Sequence, residues 1–182
     1  MRYSKTVTLK DGRTCVIRSG EERDAEAVLE NFIATHAQTD FLTTYPDEIR
    51  YTAEDERDYL KKKLESEREA ELVADIGGEI AGTAGVSFLR DADKTRHRAG
   101  FGIAIDEAWW GLGVGRALTE GCIECAKAAG YLQLELEAVA DNARALSLYK
   151  SAGFTEYGRN PRGFRTRGGA WQENVLMRLE LD

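Results

Sequence analysis

The stretch "DEAWWGLGVGRAL", residues 106–118, constrains this chain more than any other. Glycine alternates at positions 111, 113 and 115. The apolar run "GFGIAI" comes before it. After it, Val114, Leu118, Cys122, Ala126 and Ala129 recur on one face of a helix over 113–129. Glycine weakens regular structure, so three together mark a backbone that turns sharply or lies close against something. A helix N-terminus carries unpaired N–H groups and a partial positive charge. A strand, a glycine loop and a helix in that order therefore make a seat for an anion such as a pyrophosphate. Neither the dinucleotide fingerprint GxGxxG nor the P-loop GxxxxGK[ST] fits, because the spacing is GxGxG and Arg116 and Ala117 follow Gly115. A tight strand-to-helix turn without a ligand is the alternative.

The surrounding pattern alternates strands and helices. "TVTLKDGRTCVI" reads as a hairpin about Asp11-Gly12. Ser19 with Glu22 forms a capping box for a first helix that carries Ala25, Val28, Leu29, Phe32 and Ile33 and ends near His36. A loop containing Pro46 leads to a second helix, capped by Thr52 and running to about Arg68, with a thin stripe of Tyr59, Leu60 and Leu64. Gly77-Gly78 joins two strands. "RHRAGFGIAID" and "YLQLELEAV" are further strands, and "DNARALSLYKSAGF" is a helix ending at Gly153. Strands at 155–159 and 171–181 enclose a Gly/Arg-rich connector. The order predicts one mixed α/β domain over 1–182.

With 25 Lys and Arg against 32 Asp and Glu, the formal charge is −7. That makes nucleic acid an unsuitable general partner and suits a cationic one such as an amine. No apolar run has the length of a signal peptide or a membrane span. The three cysteines fit a reducing, cytoplasmic setting. Cys122 and Cys125 fall in a helical pattern with neither histidine nearby, so they read as core residues, and no metal site is expected.

A second segment matches the first in specificity. "NARALSLYKSAGF" fits NxxAxxLYxxxGF at Asn142, Ala145, Leu148, Tyr149, Gly153 and Phe154, and the glycine loop fits [Q/R]xxGx[G/A] at Gly113 and Gly115, with Trp110 in the Gln/Arg place. Together they resemble the GNAT superfamily of acetyl-CoA-dependent N-acetyltransferases, over nearly the whole chain. The resemblance implies a central, mostly antiparallel twisted sheet of about seven strands flanked by about four helices. It also implies acetyl-CoA as co-substrate, no metal, and direct attack of an amine on the thioester in a ternary complex. Backbone amides of Trp110, Gly111, Leu112, Gly113, Val114, Gly115 and Arg116 would grip the pyrophosphate, and any side chain at Gly113 or Gly115 would block its approach. Those of Ile103, Ala104 and Ile105 would hold pantetheine and polarise the thioester, while Asn142 would contact the cofactor or simply cap its helix. Tyr149 matches the family's general acid to the departing thiolate. A core tyrosine is the plainer reading.

The proton acceptor is less defined. The family's strand position for it is Ala99 here, which cannot act. His97 shares its face by period two, and Glu135 and Glu137 on the next strand are weaker candidates. In "TDFLTTYPDEI", Phe41 and Tyr45 are candidate walls of an acceptor site, with Asp40, Asp47 and Glu48 to attract a cation. Arg159, Arg162, Arg165 and Arg167 suit a solvated hairpin loop first, and otherwise contact with an acidic acceptor or ribosomal RNA. The acceptor is a small-molecule amine or a protein amine, and a homodimer is compatible with the pattern. A non-catalytic acyl-CoA-binding or sensor module is the rival.

Overall fold

The computed structural model describes residues 1–181. Its elements are β1 (Ser4–Thr8), β2 (Thr14–Ser19), α1 (Ala25–Ala37), α2 (Ala53–Glu65), β3 (Ala70–Ile76), β4 (Glu79–Phe88), β5 (Arg98–Ile105), α3 (Val114–Ala128), β6 (Gln133–Val139), α4 (Ala143–Ser151), β7 (Thr155–Arg165) and β8 (Trp171–Glu180). The eight strands form one sheet in the order β1-β2-β3-β4-β5-β6-β8-β7. Both arms of the N-terminal hairpin join it, giving eight strands instead of about seven. Every pairing is antiparallel except β5 with β6.

Period two divides the sheet into two faces. On β3, Leu72 and Ala74 point into the larger core beneath α3 and α4, with Ile17, Val86, Leu118 and Cys122. Val73 points the other way, into a smaller core with Ala25, Val28, Leu60 and Ile80 under α1 and α2. α3 lies close on the sheet at Gly121, where a Cβ would approach Leu72 Cδ1 to 3.0 Å and Ile17 Cγ2 to 3.3 Å. The three cysteines are free and buried, and among the described residues no helix is long and apolar enough to cross a membrane.

Several local expectations are corrected. Ser19 does not cap α1: it closes β2, and its hydroxyl donates to Met1 O and accepts from Tyr3 N–H. Glu21 and Asp24 make the capping box instead, on a short 3-10 turn ahead of α1. Thr52 does cap α2, with Asp55. That helix stops at Glu65, and Lys63, on its charged side, is 6% exposed because its ammonium bonds Glu69 and Ser87. The Arg-rich connector is mostly strand, since β7 continues to Arg165 with register shifts around Pro161.

Candidate active site

The site begins with a fault in the sheet. β5 and β6 pair only at residues 98–100 against 133–135 and part beyond them. Asp106 N–H donates to Ala81 O at 3.0 Å, so strand alternation turns the backbone of residues 102 and 104 toward β4. The backbones of Phe101, Ile103 and Ile105 turn into the split. Of the three residues expected to hold pantetheine, Ile103 and Ile105 face the opening. Ala104 does not, because its N–H belongs to the β4 ladder.

The glycine loop follows at the open end of the split. Gly111 (φ +80°) and Gly113 (φ +105°) are left-handed, a conformation that favours glycine. A Cβ at either would meet nothing within 4 Å, so the space beside the loop is open. Gly113 is the N-cap of α3, and the first helical bond runs from Ala117 N–H to Gly113 O. The N–H groups of Val114, Gly115 and Arg116 therefore have no acceptor within the helix. This open helix start suits a pyrophosphate. Gly115 has a different reason to be small: a Cβ there would press on Ile105 Cδ1 at 3.0 Å and Leu148 Cδ2 at 3.2 Å. Its absence of side chain serves the packing of α3 on β5 and α4, a correction to the expectation that both glycines clear a ligand's path.

The β1–β2 hairpin braces the loop. Lys10 N–H donates to Leu112 O at 3.0 Å, and the Arg13 guanidinium lies 4.3 Å over the Trp109 ring. The Trp110 indole N–H donates to Ile105 O at 2.8 Å, and its ring carries the Arg144 guanidinium at 4.1 Å. Arg116 turns along the outer surface of α3 to Glu120 at 2.8 Å.

Asn142 caps α4, its Oδ1 accepting from Ala145 N–H at 3.1 Å. One helical span later, Tyr149 is buried against β5. Its ring meets Phe101 edge-on at 6.1 Å and Phe154 at 6.0 Å. Burial pushes its phenol up to about 12, and among the described residues its hydroxyl makes no hydrogen bond. Tyr149 thus carries its proton throughout the neutral range, next to the strand that borders the split.

The other named candidates fall elsewhere. His97 is exposed and precedes β5, and its carbonyl accepts from Leu132 and Gln133 N–H at the closed end of the split. Six residues of strand, about 20 Å, separate it from Ile103, so it does not join the site. Glu135 takes both Arg98 Nε and Nη2, the latter at 2.7 Å, and the guanidinium holds its carboxyl below the usual range. It is an ion-pair partner. Glu137 is exposed and accepts from Asn174 Nδ2 at 3.2 Å.

The α1–α2 loop meets the β7–β8 hairpin around a recess of about 240 Å³, lined among others by Thr39, Asp40, Thr44, Tyr45, Arg165 and Gln172. Tyr45 lines the recess; Phe41 is half-buried beside it and does not line it. Two of the expected cation attractors are engaged: Asp47 pairs with Arg167 at 2.7 Å, and Glu48 accepts from Tyr45 N–H. Arg167 also stacks on the Tyr45 ring at 4.1 Å and donates its N–H to the Tyr45 hydroxyl. Arg144, Lys10 and Arg13 carried no sequence signal. Only the fold brings them to the loop.

An α/β sheet opened between two parallel strands, with a left-handed glycine loop and a bare helix start at the opening, defines a protein with an anion-ready cleft in its sheet. The acetyltransferase (GNAT) family model matches residues 32–154, and the chain belongs to that family. It is similar to the L-amino acid N-acetyltransferase AaaT of Escherichia coli strain K12, 28% identical over 163 residues that cover 89% of this chain and 95% of that protein. The acetyltransferase of the GNAT family from Streptococcus pneumoniae has a TM-score of 0.87 at 28% identity, covering 92% of this chain and 99% of that one. The structure of yncA, a putative acetyltransferase from Salmonella typhimurium with its cofactor acetyl-CoA, has a TM-score of 0.82 at 22% identity, covering 92% and 94%. Among the described residues, no group of three or more His, Cys, Asp or Glu is placed to hold a metal ion.

Proposed function

We propose that the protein is a cytoplasmic N-acetyltransferase that moves the acetyl group of acetyl-CoA to an amine by direct attack in a ternary complex, without a metal. The observation that carries this reading is the split between β5 and β6 that opens beside the bare N-terminus of α3. The Salmonella relative of the same fold holds acetyl-CoA, and the residues here fit that ligand. The amides of Val114, Gly115 and Arg116 would bind its pyrophosphate, with Gly111 and Gly113 leaving room for it. The Ile103 N–H would polarise the carbonyl, and Asn142 and the Trp110–Arg144 stack border the same opening. Bound acetyl-CoA supplies an activated acetyl thioester. Tyr149, protonated and unpartnered, holds a proton for the departing sulfur.

The acceptor is a small-molecule or protein amine, entering through the recess between the α1–α2 loop and the β7–β8 hairpin, where Tyr45 and Arg165 stand. The Escherichia coli relative is named for L-amino acids, so α-amino acids head the panel to test. The test is release of CoA thiol from acetyl-CoA across that panel and a set of peptide N-termini and alkylamines. An acetyltransferase releases thiol in proportion to one class of amine. A sensor module binds CoA and releases none. The free hydroxyl of Tyr149 supports the enzyme.

A further inference from the structure

The site so far has a proton donor and no proton acceptor. Ala99 has no titratable group, His97 is remote, and Glu135 is held by Arg98. The face of the sheet beneath α1 and α2 carries another carboxylate. The registers of three strands set Glu71, Gly85 and Gly102 in one row, Glu71 opposite Gly85 and Gly85 opposite Gly102. Their neighbours Leu72, Ala84 and Phe101 belong to the core on the opposite face. The row therefore lies on the α1/α2 side. A Cβ at Gly85 would collide with Glu71 Oε2, so the carboxylate lies across β4 in space that any other residue at 85 would fill. Gly102 is exposed, and a Cβ there would meet nothing within 4 Å. Gly85 and Gly102 thus place no side chain of their own between the Glu71 carboxylate and the β5 border of the split. Adjacent strands lie about 4.8 Å apart, so water over Gly102 connects the carboxylate with an amine placed beside Ile103.

We propose that Glu71 accepts the proton of the incoming ammonium through that water. The proton on nitrogen passes to the water, and a water proton passes to Glu71 Oε2. The amine is left with its lone pair for attack, and no other bond changes. This assignment rests on the acetyltransferase reading above. The surroundings suit a base. The Tyr59 hydroxyl donates to Oε2 at 3.0 Å, and the Thr83 hydroxyl of β4 lies beside it. From α2, Lys63 and Glu56 also face it, with Glu69 just before β3 on Lys63 and Cys122 of α3 beneath the sheet. Burial pushes the carboxyl up, Tyr59, Lys63 and Thr83 pull it back, Glu56 adds to the rise, and the result is about 7. A base titrating near the working pH is both ionised and basic enough to act.

The test is Glu71→Gln, which keeps the shape and still accepts from Tyr59. With an acceptor whose own ammonium titrates well above 8, parent kcat/KM rises with pH through about 7. The variant is expected to lose this limb and to fall by about a hundredfold at neutral pH, in line with general-base contributions of roughly 10²–10⁴, while CoA affinity stays within about twofold. A residue that only anchors Tyr59 would leave the pH profile in place. If the parent releases no thiol with any amine, the acetyltransferase reading falls and takes this one with it. If the parent turns over and E71Q matches its rate and profile, only the assignment of Glu71 falls. Carboxyl titration of the parent by carbon-13 NMR gives a second reading that needs neither variant nor turnover: Glu71 is expected near 7, and an ordinary value near 4 overturns the proposal.

Discussion

Replacing Gly113 by valine tests the glycine loop with a magnitude set by its geometry. Gly113 has φ +105° and ψ −4° at the N-cap of α3. A β-branched residue at positive φ is a true outlier, at a cost of about 1–3 kcal/mol. No crowding adds to it, because a Cβ at 113 meets nothing within 4 Å. For a chain of this length each kcal/mol lowers Tm by about 2–4 °C, so the variant should melt about 2–12 °C lower and remain folded at 25 °C. Relief of the strain turns the loop and misaligns the amides of Val114, Gly115 and Arg116. Hydrogen bonds to a charged group contribute about 1.5–3 kcal/mol each. Loss of one therefore weakens CoA binding by about ten- to a hundredfold. Gly115→Ala is the control: its backbone is helical, alanine favours the helix, and the crowded atoms are the movable ends of Ile105 and Leu148. It should bind CoA nearly as the parent does. Titration calorimetry with CoA beside a thermal melt reads both quantities. A folded Gly113→Val protein with parental affinity would refute the loop assignment.

Tyr149→Phe should keep the ring packing against Phe101 and Phe154 and remove only the proton, lowering kcat at least about tenfold with little change in CoA affinity or Tm; parental turnover with chemistry rate-limiting would make Tyr149 a packing residue. Arg18 ties Asp24 at 2.6 and 2.8 Å to Asp75 at 3.0 Å, with the Asp24 side chain 9% exposed. Arg18→Met leaves those carboxylates unpaired and should cost about 3–5 kcal/mol in denaturant melts; a loss under about 1 kcal/mol would mean that solvent already screens the network. Burial pushes the Asp24 carboxyl up, but Arg18 and the Glu21 N–H outweigh it and leave it below its ordinary value. Its contribution is therefore complete above about pH 4 and is lost as pH falls through the lowered folded value. Arg18→Met should flatten that acid limb in a stability-versus-pH series, and an unchanged limb would assign it to other carboxylates.

Features written in local chemistry were legible in the sequence. Gly77 and Gly78, at φ +67° and +95°, form the hairpin turn that only such a pair makes easily, and Asn142 and Thr52 cap the helices they precede. Features set by distant partners were not. Ser19 followed by Glu22 satisfies the capping pattern, yet Met1 and Tyr3 capture its hydroxyl from the neighbouring strand edge. His97 shares the face of Ala99 only if β5 has already begun, but the strand starts at Arg98, and its parallel register with β6 has no local mark. Pro161 and Gly163 fall in the expected connector, and pairing with β8 carries β7 through them with shifted register. Glu71 stayed hidden because its meaning depends on two glycines in other strands.

Trp110 is where the chain departs from its family pattern and where the fold answers the departure. The pattern places Gln or Arg there, groups able to bond the loop or to bring charge to its opening. The indole N–H does the first task by holding Ile105 O at 2.8 Å, which ties the loop back to the end of β5 at the split. It lacks charge, and α4 supplies it: the Arg144 guanidinium lies 4.1 Å over the indole, one residue after the Asn142–Ala143 turn. A cation over an exposed ring gains about 0.5–1 kcal/mol, enough to bias one long side chain toward this position. Arg116, by contrast, is drawn away by Glu120. The positive charge at the mouth of the cleft therefore comes mainly from the α3 N-terminus and from a residue of α4. Both stand on helices packed against each other at Gly115 and Leu148. Loop, charge and the Tyr149 helix thus hold their relation through two contacts, Gly115 with Leu148 and Trp110 with Arg144, which join the two motifs far apart in sequence.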